Sequence, residues 1–161
     1  MEDLKTMNDE LEVLEDEKES PNVLDLLLSA DLKKFKVKSQ KVEIPRLTEA
    51  TGAPFIVEVR QIPINLEEDI EERYNKVSYT DDGDVEVDSK PMESKKMILI
   101  ECVYVCDKQL FKQSDLMRKF NAKTPKHFVE KLFTKGEITK IYNAYKEVIG
   151  FKKESVKEIK N

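Results

Sequence analysis

The 161-residue sequence predicts an α+β fold, an N-terminal helix and β-hairpin part followed by a C-terminal helical bundle. Three observations predict it. Apolar residues alternate with polar ones in Lys41–Leu47 and Phe55–Ile62, the period of half-buried strands. From Ser114 onward the apolar spacing lengthens to three and four, the period of helices. Breaks rich in Gly, Pro and Thr separate these stretches, notably Thr51-Gly52-Ala53-Pro54 and Thr124-Pro125. The expected divisions are an acidic arm at 1–21, an α+β part at 22–76, a polar loop or second hairpin at 77–92, the bundle at 93–151 and a charged tail at 152–161.

In the arm, Leu4, Met7, Leu11 and Leu14 form an apolar stripe on an otherwise acidic helix, which reads either as a frayed helix packed weakly on the body or as one suited to a partner or to self-association. Ser20-Pro21-Asn22 breaks that pattern, and Ser20 or Asn22 caps a short helix begun by Val23, Leu24, Leu26, Leu27 and Leu28, which Asp31–Phe35 continues or ends. Lys41–Leu47 and Phe55–Ile62 then read as two strands of a hairpin with Thr51–Pro54 as its turn. Pro45 has no amide hydrogen to donate, which makes the first an edge or bulged strand.

Asn65–Asn75 reads as a helix capped by Asn65, with Leu66, Ile70 and Tyr74 as its apolar face. Lys76–Pro91 carries Asp-Asp-Gly-Asp between two alternating runs, an exposed hairpin or polar loop and the best candidate for a hinge. Met97–Cys106 fits a strand by its β-branched residues and a buried helix by its length and spacing. Three helices follow. Ser114 caps the first, with Leu116, Met117 and Phe120. Thr124-Pro125 starts the second, with Phe128, Val129, Leu132 and Phe133. The third runs from about Gly136 to Ile149 with Ile138, Ile141, Tyr142, Tyr145 and Val148, and Gly150 stops it.

Composition restricts function. Charged residues are 38% of the chain and aromatics 7%, with no Trp, which leaves little apolar material for a large enzyme cleft. The net charge of −5 disfavours a protein that grips nucleic acid through its phosphates. Charge is also uneven: Met1–Ser20 carries nine acidic residues against two lysines, while Phe151–Asn161 carries four lysines against two glutamates. Such asymmetry suits self-association or a basic partner. The acidic first residues do not read as a signal peptide, and Met97–Cys106, the longest apolar-rich stretch, is about half of what a bilayer requires.

Chemistry-bearing motifs are weak. Cys102 and Cys106, at a spacing that suits one helix face, fit neither a disulfide framework nor a zinc site, and His127 is the single histidine. Both cysteines read as buried thiols of a reducing compartment. Counting from Asp82 puts Glu93 at the twelfth position of a calcium loop, but Val87 stands where such a loop needs its glycine. No nucleophile motif surrounds His127, and no GxGxxG, phosphate-binding loop or HExxH occurs. The expectation is a protein with no catalytic residues, no metal and no cofactor.

The segment Asp115–Pro125, then Phe128-Val129-Glu130-Lys131-Leu132-Phe133, Lys135-Gly136-Glu137-Ile138 and Gly150-Phe151, resembles the XkdN-like phage tail assembly chaperones. Leu24–Leu28, Ser29-Ala30-Asp31, Lys41-Val42 and Phe55–Ile62 are similar to that family as well. The resemblance runs from about Val23 to Phe151 and leaves out the arm and Tyr79–Pro91. It implies a phage or prophage protein of the host bacterial cytoplasm that binds the tape measure protein, long, helical and aggregation-prone, and keeps it soluble before the tail tube assembles. Further implied partners are a second copy or the tail tube protein, with neither nucleic acid nor membrane. A structural part of the tail or baseplate, or a small acidic adaptor, is the alternative. Expected contact residues are Leu4, Met7, Leu11 and Leu14 of the arm with Phe128, Phe133, Tyr142 and Tyr145 of the bundle, although the latter four have the spacing of core positions too.

Overall fold

The computed structural model describes residues 22–36, 39–152 and 155–159. The chain divides into two compact units between Lys36 and Val37. In the first, helix α1 (Val23–Ser29) starts where the Asn22 side chain accepts from the Leu24 amide at 3.0 Å. A 3₁₀ turn, Leu32–Phe35, follows under the Asp31 side chain, which accepts from Lys33. The arm lies outside the described residues.

The second unit is an α+β fold. Strand β1 (Gln40–Glu43) pairs antiparallel with β2 (Ile56–Val59), with Val42 opposite Val57. The expected strand does not run on to Leu47, and the link to β2 is not a hairpin turn. Pro45 instead opens helix α2 (Pro45–Thr51), where a missing amide hydrogen costs nothing because first-turn amides have no partner within the helix. Gly52 ends α2 at φ +77, a left-handed conformation that admits the turn toward β2.

Helix α3 (Ile64–Tyr74) has its cap position at Pro63, two residues before the expected cap, so Asn65 lies inside its first turn and makes no cap. Strands β3 (Asn75–Tyr79) and β4 (Val85–Ser89) form the second hairpin, with Val77 opposite Val87 and Tyr79 opposite Val85. Helix α4 (Pro91–Cys102) then buries Ser94, Ile98, Leu99, Ile100 and Cys102. It packs against α3 and against two later helices, α6 (Pro125–Leu132) and α7 (Lys135–Lys146), which explains its apolar residues on more than one face.

Both readings of Met97–Cys106 hold in part. Its first six residues are helix, and Val103–Val105 are strand β5, paired to β2 and to the two-residue β6 (Lys108–Gln109). The two cysteines therefore do not share a helix face: Cys102 is buried, while Cys106 is exposed in the β5–β6 turn at φ +52. The sheet order is β1-β2-β5-β6, so the chain that supplies the helical bundle also supplies two strands beside the N-terminal pair.

Helix α5 (Ser114–Lys119) is short and begins after Gln113, with Ser114 in its first turn rather than capping it. Helix α6 has the expected cap, Thr124 Oγ1 accepting from the His127 amide at 3.1 Å, with Pro125 in its first turn. Helix α7 carries a capping box: Thr134 accepts from the Glu137 amide and Glu137 accepts from the Thr134 amide. Past α7, Glu147–Phe151 form a π turn, closed by Gly150 at φ +103. Val57, Val59 and Val103 of the sheet and residues of α4, α6 and α7 form one core with Phe111.

Candidate partner-binding surfaces

The aromatic residues singled out in the bundle hold it together. Phe111 meets Phe128 edge-on at 5.3 Å between ring centres, and Phe133 at 5.4 Å. Both phenylalanines and Tyr145 are buried. Tyr145 donates to Glu67 of α3 at 2.6 Å, and burial pushes its hydroxyl well above the ordinary tyrosine range. Tyr142 differs. It is half-buried, its hydroxyl is also raised by burial, and the ammonium groups of Lys95 and Lys146 lie 5.4 and 5.7 Å from its ring centre. Of these four residues Tyr142 alone keeps an accessible face. Leu4, Met7, Leu11 and Leu14 fall outside the described residues.

Two surfaces stand out as apolar and open. The first is the segment Val23–Phe35. Leu24, Leu27, Leu28, Leu32 and Phe35 are all more than half exposed, and α1 has no buried residue. A helix of seven residues is too short to persist on hydrogen bonding alone, and apolar burial is the usual source of its stability. The sequence marks this helix clearly. Its exposure is not marked, because an apolar run reads as core by default.

The second is one face of the β3–β4 hairpin. Successive side chains on a strand alternate faces and directly opposed residues share one, so Val77, Tyr79, Val85 and Val87 form a single patch. All four are exposed. The opposite face carries Lys76, Ser78, Glu86 and Asp88.

Chemistry is sparse elsewhere. An open recess of about 380 Å³ on the outer side of the sheet is lined by Lys41, Ile56, Glu58, Tyr104 and Cys106. Beside it Arg60 bonds Glu58 at 2.7 Å, pairs with Asp107 and lies over the Tyr104 ring at 4.3 Å, so its charge is already spent. His127 is also committed, its Nδ1 accepting from the Lys123 amide. Burial pushes the Cys102 thiol far above the range in which a thiolate forms. Among the described residues no cluster of His, Cys, Asp and Glu could hold a metal, and no helix is long and apolar enough to cross a membrane.

Against known proteins, the family model described as the phage XkdN-like tail assembly chaperone protein matches residues 24–160. No curated protein and no solved structure matches the chain. The match begins in α1 and takes in every strand and every later helix described above, the β3–β4 hairpin included. This is a family of chaperone-type phage proteins and not one of enzymes. With six-sevenths of its length inside that match, the chain belongs to the phage XkdN-like tail assembly chaperone family.

Proposed function

We propose that the protein binds the tape measure protein in the host cytoplasm and keeps it soluble until the tail tube assembles around it. The observation that carries this reading is the exposed apolar segment Val23–Phe35 in a member of a tail assembly chaperone family. A long helical partner presents apolar stripes that associate with one another in water. A short apolar helix with a 3₁₀ turn can cover such a stripe by helix-in-groove packing. The rest of the chain is highly charged, which keeps the pair in solution while the apolar surfaces are engaged. The accessible face of Tyr142, flanked by Lys95 and Lys146, offers a second point of contact with an acidic partner segment. The arm stripe Leu4, Met7, Leu11 and Leu14 extends the same apolar strategy toward the start of the chain.

The test is co-expression with the tape measure protein of the same phage, followed by a sizing column. The reading expects the two to co-elute, and truncation of residues 1–21 then measures what the arm adds. Elution of this protein alone, beside an insoluble tape measure protein, refutes the reading and favours a structural or adaptor role.

A further inference from the structure

The β3–β4 hairpin raises a question of its own, because a two-stranded ribbon with one apolar face is marginally stable in water until that face is covered. Every residue of both strands is exposed, and the patch Val77, Tyr79, Val85 and Val87 is 57% to 75% exposed. The patch is rimmed by acid. At the hairpin tip stand Asp81, Asp82 and Asp84, and the opposite face of the ribbon adds Glu86 and Asp88 against Lys76. A second hairpin laid on the first would bring two acidic ribbons together, which like-charge repulsion opposes. The fitting occupant has apolar side chains set among lysines.

One segment of this chain has that chemistry. Phe151–Asn161 carries Lys152, Lys153, Lys157 and Lys160 against Glu154 and Glu158, with Val156 and Ile159 between the charges. Val156 and Ile159 are 85% and 88% exposed, so neither side chain lies on the hairpin of its own chain. We propose that the β3–β4 hairpin of one copy receives the basic segment Phe151–Asn161 of a second copy. Val156 and Ile159 cover the valine and tyrosine patch, and the lysines face the acidic rim. The interface is heterologous, each copy presenting a hairpin to one neighbour and a basic segment to another. The contact forms in the free protein and does not depend on the tape measure protein.

Sedimentation equilibrium of the full chain over a range of concentrations tests it. The expected result is a mass that rises above the 18.8 kDa of one chain and falls back as salt screens the charges. Two variants separate the halves of the interface: Tyr79→Ser with Val87→Thr on the hairpin, and Val156→Ser with Ile159→Ser on the basic segment. Each alone should be monomeric where the wild type associates, and their equimolar mixture should form a 1:1 pair and nothing larger, since one good hairpin and one good segment remain. A matched thermal midpoint checks that each variant keeps its core.

Charge reversal gives a second route that leaves the apolar patch intact. Asp82→Lys with Asp84→Lys should abolish association, and Lys157→Glu with Lys160→Glu on the other partner should restore it. Three results overturn the proposal: a monomeric wild type at all concentrations, association of the Val156/Ile159 variant equal to wild type, which would indicate hairpin-to-hairpin pairing, or a mixture of the two variants that stays monomeric.

Discussion

Arg46 shows what single side chains do in this protein. From α2 it donates through Nε and Nη2 to Glu137, at 2.8 to 3.2 Å, and through Nη2 to the Leu132 carbonyl at 2.6 Å. Glu137 meanwhile closes the capping box of α7, so one guanidinium ties α2 to the end of α6 and the start of α7. Half of the Arg46 side chain is open to solvent, which weakens the ion pair. Arg46→Ala should therefore cost about 1 kcal/mol, a fall in thermal midpoint of roughly 2–4 °C. Tyr145→Phe should cost a similar amount, because it removes the one hydrogen bond from this buried residue to Glu67. Residue-scale features were unevenly legible. The Thr124-Pro125 start of α6 could be read directly, since both residues favour that place for independent reasons. Asn65 and Ser114 do not cap their helices, because a cap position is set by where the preceding backbone is extended, at Pro63 and Gln113, and not by the nearest polar side chain. Phe128, Phe133 and Tyr145 show a further limit: a helical period marks an apolar face without saying what covers it.

At the scale of elements, the same limit runs the other way in α1. Its apolar run is visible in the sequence, and nothing in the pattern marks its exposure. Leu24→Ser, Leu27→Ser and Leu28→Ser together should shift the thermal midpoint little, since surface changes stay within about 0.5 kcal/mol each, yet should abolish co-elution with the tape measure protein. A large loss of stability would instead mean that these leucines serve the fold. The β1–β2 pair was legible from alternation, but neither its register nor the intervening helix was, because Pro45 suits an edge strand and a first helical turn equally. Met97–Cys106 mixed two periods because it contains a helix end and a strand.

Across the whole molecule, the α+β class was legible, and the sharing of one sheet between the two halves of the chain was not. β5 and β6 are too short, at three and two residues, to show alternation. The core they complete contains the fully buried Phe111, edge-on to Phe128 and Phe133, and Phe111→Ala should cost about 3–5 kcal/mol, a large share of the stability of a domain this size. Acid should weaken the fold through specific carboxyls. The Arg46 guanidinium holds Glu137 below the ordinary carboxylate range, and Lys126 on α6 does the same to Glu93 on α4. A carboxyl lowered in the folded state adds stability that is fully present above its unfolded value near 4.5 and is lost as pH falls through the lower folded value. Thermal midpoints should thus hold steady from neutrality to about pH 5 and drop below it, and Glu137→Gln should flatten part of that drop.

On the proposed function, the exposed apolar segment Val23–Phe35 serves a tail assembly partner. The most direct test of that role is the soluble fraction of the tape measure protein when co-expressed with the wild-type chain or with the Leu24/Leu27/Leu28 serine variant. The expected result is soluble partner with the wild type and insoluble partner with the variant. Equal solubility with both, or insolubility with both, would contradict it.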